Sequence, residues 1–257
     1  MSIWAAKQRA QEGVLKSPHY YQIYREPGQL ARAATQRWVE LARESIRARN
    51  SFHVALAGGS TPKPVYHLIQ QEDLEWDKIH LYWGDERDVP ADHPESNYLM
   101  AKEALIDHVP IPADNVHPIR VQADIEKSVE EYRQVLDTVH RSSDGLPCFD
   151  LVMLGMGDDG HIASLFPDSS ALTVANTPVV SVYVEKLHSW RVTLTYPVLN
   201  AARNLMLLVS GETKAPIVAQ VLGGNGEEKY PVQKLAPQGR AEWYLDQAAA
   251  SQLPELT

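Results

Sequence analysis

The sequence predicts an α/β protein built on a mostly parallel sheet covered by helices on both faces. Three observations lead there. Short apolar runs of strand length alternate with helix-period segments along the whole chain, the pattern of repeated strand–helix–strand units. The runs Phe52–Ala57, Ile79–Trp83, Phe149–Leu154 and Leu205–Val209 carry few polar residues, as strands buried on both faces must. Glycine-rich or charged turns follow these runs, which places them at the carboxyl edge of the sheet, where open α/β sheets bind ligands.

Each element has its own signal. Tyr20–Tyr24 is aromatic and β-branched and is the expected first strand. Between Gln29 and Arg49, Leu30, Ala34, Trp38 and Leu41 fall on one stripe at helical spacing. The Phe52–Ala57 strand leads to a helix over Pro62–Gln70, and the Ile79–Trp83 strand leads to helices over Glu95–Asp107 and Asp124–His140. Strands follow at Phe149–Leu154, Val179–Val184, Arg191–Tyr196 and Leu205–Val209, then a helix over Glu212–Leu222 and a late strand over Ala241–Leu245. No linker, repeat or low-complexity tract interrupts the series, so residues 1–257 are expected to form one domain.

Composition removes several function classes. The net charge of −9, with no basic stripe, argues against a nucleic-acid partner. It also requires any anion site to be assembled from local cations and backbone N–H groups. The single cysteine excludes an internal disulfide and fits a reducing compartment. Cys148 precedes a strand, at the sheet edge away from the expected site, with no base to activate it. Met1–Lys16 has scattered charges and no apolar leader core, and no run reaches the length of a membrane span. A cytoplasmic protein without a membrane partner is expected, and nothing in the sequence specifies an oligomeric state.

The richest segment is Gly155-Met156-Gly157-Asp158-Asp159-Gly160-His161, directly after an apolar run. It delivers a titratable histidine, with Asp159 two residues before it, on a loop that glycines allow to turn sharply. The letters also match the dinucleotide pattern G-x-G-x-x-G. That reading fails on context: two aspartates would face the pyrophosphate, Pro167 interrupts the following segment, and no acidic residue stands about 20 positions on.

Gly58-Gly59-Ser60-Thr61-Pro62 lies between a strand and a helix. Proline at the first helical position, capped by serine or threonine, would leave N–H groups and hydroxyls free as a phosphate cradle. A capped helix without a ligand fits the same letters. Arg87, in the Asp85-Glu86-Arg87-Asp88 run after a strand, is placed to clamp an anion, unless the run is a solvated acidic turn. Lys214, in the first turn of the Glu212–Leu222 helix, is either near a bound anion or ordinary surface. Metal binding by Asp85, Asp159 and His161 has no recognisable ligand pattern behind it. No metal and no cofactor are expected. His53, within a strand, and His67, on a helix, read as packed or solvated.

Four blocks occur in one order over nearly the whole chain: Leu56–Pro62; Trp83–Pro90 with Ser96-Asn97-Tyr98; Phe149–Pro167; and Arg191-Val192-Thr193-Leu194-Thr195 leading to Gly211-Glu212-Thr213-Lys214-Ala215. Together they resemble the 6-phosphogluconolactonase family and its relative, the glucosamine-6-phosphate deaminase family. The resemblance implies a Rossmann-like α/β/α three-layer fold. It also implies hydrolysis of 6-phospho-D-glucono-1,5-lactone to 6-phosphogluconate, the second step of the oxidative pentose phosphate pathway. Its general base falls on His161, and its phosphate contacts fall on the Gly58, Gly59, Ser60 and Thr61 loop, Arg191 and Lys214, with Arg87 a further contact. Asp158 stands where many members have proline and is given no role. Asp159 and Asp85 are the candidates for orienting the histidine ring.

Deaminase relatives place a glutamate five residues after the histidine. Here that position is Phe166, which cannot relay a proton, so lactonase is favoured over deaminase. A non-catalytic sugar-phosphate sensor is the remaining alternative. As a transcription regulator it would need a DNA-binding head, and roughly 20 residues before the first strand are too few for one.

Overall fold

The computed structural model describes residues 9–11, 19–223 and 228–254. The stretch 1–16, expected to lack a leader core, lies outside these residues apart from the strand 9–11. The described residues form two sheets. The larger has eight strands in the order β1-β2-β11-β10-β7-β3-β4-β6. These are β1 (Arg9–Gln11), β2 (His19–Tyr24), β3 (Phe52–Leu56), β4 (Ile79–Trp83), β6 (Val116–His117), β7 (Leu151–Gly155), β10 (Asn204–Val209) and β11 (Arg240–Asp246). All neighbours pair in parallel except β1 with β2. The expected mostly parallel sheet flanked by helices is therefore what the chain forms.

The helices are α1 (Pro27–Arg49), α2 (Lys63–Ile69), α3 (Asn97–Ala104), α4 (Ile125–Val135), α5 (Tyr196–Ala201) and α6 (Ala215–Leu222). The stripe on α1 is buried as its spacing requires, with Leu30, Ala34 and Trp38 fully enclosed. Trp38 meets Phe52 of β3 edge-on, with ring centroids 5.1 Å apart. β3 is buried along its whole length, which accounts for its largely apolar sequence.

The structure departs from expectation in several places. β1 precedes the expected first strand. The second sheet, β5 (Asp85–Arg87), β9 (Ser189–Leu194) and β8 (Val179–Val184), is antiparallel and separate from the first. Asp85–Arg87 is thus a strand and not a turn. The strand expected to reach Tyr196 stops at Leu194, because Pro197 starts α5. The Glu212–Leu222 helix is divided into a 3₁₀ turn over Glu212–Lys214 and α6.

The strand order reverses between β3 and β7. From β3 the chain moves outward through β4 and β6, and β7 returns on β3's other side. A crevice at the carboxyl ends of the strands is expected at such a point.

Candidate active site

Four loops leave the carboxyl ends of four consecutive strands, β10, β7, β3 and β4. Buried polar groups fix three of them. Tyr66 of α2 donates to the Ala57 carbonyl at 2.7 Å and accepts from its N–H at 3.0 Å, just before Gly58. Tyr132 of α4 holds Trp83 the same way, at 2.8 and 2.9 Å, just before Asp85. Asp246, at the end of β11, accepts from Ser210 Oγ at 2.5 Å and from the Gly211 N–H at 3.1 Å, just before Lys214.

Between the loops lies a cleft of about 230 Å³. Gly58, Gly59, Ser60, Thr61, Asp85, Arg87, His161 and Lys214 all line it. Asp159 and Arg191 do not. Asp159 reaches the cleft through His161, and Arg191 stands opposite the cleft-lining Arg87 in the β5–β9 pair.

His161 Nδ1 lies 2.5 Å from Asp159 Oδ1, and the same carboxylate oxygen accepts the His161 N–H at 3.2 Å. Among the described residues no hydrogen bond engages Nε2. The ring stacks on Phe166 with centroids 4.0 Å apart. The other Asp159 oxygen accepts from Lys186, whose ammonium lies 4.8 Å from the Phe166 ring centroid. Burial pushes the Asp159 carboxyl up, but hydrogen bonds from His161 and Lys186 outweigh it and hold the group well below its ordinary range.

The loop backbone supports this pair. Gly157 N–H donates to the His161 carbonyl at 2.9 Å, and Gly160 adopts φ +75°, a conformation glycine takes without strain. A Cβ on Gly157 would lie 2.0 Å from His161 Nδ1, so the ring sits over bare backbone. Asp85 faces the same loop, accepting from Ser164 Oγ at 2.7 Å and from Asn97 Nδ2 at 3.4 Å.

The cations gather on two sides of the cleft. Arg87 and Arg191 oppose each other across β5 and β9, and among the described residues neither has a carboxylate within ion-pairing distance. Their held contacts are to backbone and hydroxyl oxygens: Arg87 Nη1 to the Glu95 carbonyl at 2.5 Å, and Arg191 Nη1 to Ser189 Oγ at 2.7 Å. Burial and then the Arg87 charge make Arg191 easier to deprotonate than usual. Across the cleft, Lys214 pairs with Asp158, the residue given no role, and burial lowers the lysine from its ordinary value. Ser60 is exposed and Thr61 half-buried. Pro62 occupies the N-cap of α2, one position outside the expected first turn, and no side chain caps the helix. Neither hydroxyl is therefore committed to capping.

The family model for glucosamine-6-phosphate isomerases/6-phosphogluconolactonase matches residues 25–243. The chain belongs to this family. A 6-phosphogluconolactonase from Nostoc sp. is 44% identical over 212 residues, 81% of this chain and 88% of that protein. One from Mycobacterium tuberculosis is 37% identical over 241 residues, covering 91% and 98%. The solved structure described as 6-phosphogluconolactonase from Trypanosoma brucei superposes with a TM-score of 0.82 at 30% identity, over 91% of this chain and 98% of that one. The resemblance in the four sequence blocks and the Rossmann-like fold it implies are thereby established. The region matched by the glucosamine-6-phosphate isomerase/6-phosphogluconolactonase family takes in every loop that lines the cleft.

Sequence reasoning missed several residues that build this family member's cleft. Tyr66, Tyr132 and Asp246 lie 9, 49 and 35 or more positions from the peptides they hold. Glu86 is buried and accepts from the N–H groups of Arg87, Asn97 and Tyr98, each at 2.8 Å, and from Ser96 Oγ at 3.1 Å. It anchors the start of α3, which carries Asn97 against the Gly58 loop. Lys186 also escaped notice. No group of His, Cys, Asp and Glu that could hold a metal is found among the described residues, and no helix among them is long and apolar enough to cross a membrane.

Proposed function

We propose that this chain hydrolyses 6-phospho-D-glucono-1,5-lactone to 6-phosphogluconate, with His161 as general base and a phosphate pocket formed by Gly58–Thr61, Arg87, Arg191 and Lys214. The activity rests on relatives of up to 44% identity that carry the name 6-phosphogluconolactonase. The mechanism rests above all on the His161–Asp159 pair at the lip of the cleft. An ionised Asp159 on Nδ1 selects the tautomer whose proton sits there, so the lone pair is on Nε2. Of the two candidate aspartates, Asp159 orients the ring in this reading, supported by its 2.5 Å contact with Nδ1, while Asp85 braces the loop through Ser164.

In the reaction, Nε2 takes a proton from the water that attacks C1, and a C–O bond forms as the carbonyl oxygen becomes an oxyanion. As the carbonyl reforms, the bond from C1 to the ring oxygen breaks and the imidazolium protonates that departing oxygen. The product carboxylic acid then ionises, releasing one proton to solvent. A base positioned this way contributes on the order of 10²–10⁴ in rate, enough for an activated ester held in place by its phosphate. The phosphate would replace Asp158 as the partner of Lys214 and supply the counter-ion that Arg87 and Arg191 lack.

The test is acid release from freshly generated 6-phosphogluconolactone, measured against spontaneous hydrolysis, alongside ammonia release from glucosamine 6-phosphate. Lactone turnover well above background without ammonia is the expected result. Ammonia release with no lactone turnover would replace this reading with the deaminase one.

A further inference from the structure

Lys186 lies outside every motif that led to the site. It sits at the tip of the β8–β9 hairpin, in the turn Glu185–Leu187, and its side chain is about half exposed. An exposed ion pair contributes little stability, so the worth of the Lys186–Asp159 contact has to be sought elsewhere. Asp159 has two carboxylate oxygens, one used by His161 and the other by Lys186. The lysine ammonium lies over the Phe166 ring, which also stacks on the His161 imidazole. Lysine, aspartate, histidine and phenylalanine thus form a closed set in which a shift in one changes the setting of the next.

We propose that Lys186 is a positioning residue for the His161 base, acting through Asp159 and touching neither substrate nor the reacting atoms. This rests on the reading of His161 as the base. By engaging Oδ2, Lys186 fixes the carboxylate rotation that presents Oδ1 to Nδ1. Its positive charge also offsets the field of Asp159 at the imidazole. Without that cation the aspartate would favour the imidazolium and disable the base. The same contact fastens the hairpin that carries Arg191 to the loop that carries His161, so the two functions are held in one geometry.

Other charged groups line the cleft or sit beside its residues. They are Asp158 with its partner Lys214, Asp85 held by Ser164 and Asn97, Arg87 on the Glu95 carbonyl, and Glu185 beside Lys186. All remain in place when Lys186 alone is changed.

The experiment compares wild type, Lys186→Met and Lys186→Arg by two readouts. One is the pH dependence of kcat/KM for the lactone. The other is the ¹⁵N spectrum of the His161 ring, assigned by its loss in His161→Gln, which reports protonation and tautomer without substrate. In Lys186→Met, the acid limb of the rate profile and the NMR midpoint should both move up by about half a pH unit or more. The Nδ1–H tautomer should become less dominant, and KM should hold. Lys186→Arg should restore the wild-type pattern. An unmoved NMR midpoint and tautomer in Lys186→Met would overturn the proposal, as would an arginine variant that behaves like methionine. If the NMR midpoint shifts and the rate profile does not follow, the coupling stands and the His161 base reading fails.

Discussion

Gly157→Ala tests the geometry of the base without removing any functional group. A Cβ at this position would lie 2.0 Å from His161 Nδ1, 2.1 Å from Cε1 and 2.9 Å from Asp159 Oδ1. Ordinary contact begins near 3.4 Å, so the imidazole must retreat by about 1.4 Å, more than half the length of its bond to Asp159. Gly157 does not have positive φ, so the backbone accepts alanine and the strain falls on the His161–Asp159 pair. A misplacement of about 1 Å in a catalytic group costs roughly 10²-fold, equivalent to about 2.7 kcal/mol of barrier. Initial rates of acid release from fresh 6-phosphogluconolactone should therefore fall about 10²-fold, chiefly in kcat, while the melting temperature stays close to wild type. Gly155→Ala, two residues earlier at the end of β7, is the control. Its Cβ would meet only the Gly58 carbonyl oxygen at 4.0 Å, and it should lose no more than a few-fold in rate. A folded Gly157→Ala enzyme with near wild-type kcat would refute the claim that the position of the ring matters.

Further outcomes follow from the same geometry. Lys214→Ala should reduce kcat/KM for the phosphorylated lactone about 10–150-fold, the loss of one charge-assisted contact of about 1.5–3 kcal/mol. The unphosphorylated lactone should be far less affected, and equal proportional losses would place Lys214 outside the phosphate pocket. Glu86→Ala strands three N–H groups and a hydroxyl around the start of α3. It should cost on the order of 3 kcal/mol or more in chemical denaturation, and a loss below about 1 kcal/mol would show that water replaces the carboxylate freely. Stability should also fall in mild acid. Burial, and then the neighbouring histidines, lower His53 to about 3 and His117 to about 4, whereas the unfolded value is about 6.5. The unfolded chain therefore binds more protons below pH about 6.5, and stability is full above that pH and lost as pH falls towards the folded values. The buried His53 should contribute a slope of up to about 1.4 kcal/mol per pH unit and the more exposed His117 less, so His53→Phe should flatten the denaturation profile. Activity should survive exhaustive chelation, and loss with EDTA followed by rescue with a divalent ion would reopen Asp85 and Asp159 as ligands.

The central sheet was readable because strands buried on both faces carry few polar residues, and β3, β4, β7 and β10 hold only His53, His80 and Asn204 among their largely apolar residues. The loops after them were readable because glycine, histidine and paired charges are rare directly after such runs. The second sheet was hidden for the opposite reason. Asp85–Arg87 is short and fully charged, and strand pairing with β9 cannot be inferred from it. The Arg9–Gln11 strand likewise has no β-branched or aromatic residue to announce it. α5 had a signal in Pro197, which belongs at a helix start, but the preceding apolar run extended the strand reading through Tyr196. The clamps Tyr66, Tyr132 and Asp246 act across the fold, and their own segments read as ordinary core or strand end. Lys186 resembles any surface lysine until the hairpin brings it over Phe166. Cys148 lies where its position before β7 implied, buried with its thiol on the Ala201 carbonyl at 3.0 Å. His67 is solvated on α2, and His53 is packed among other histidines.

The most direct test of the account is kcat of His161→Ala on freshly generated 6-phosphogluconolactone, with folding verified by an unchanged melting temperature. kcat should fall roughly 10²-fold or more, since Nε2 of this ring is the proposed base for the attacking water. A folded His161→Ala enzyme turning over at close to the wild-type rate would contradict it.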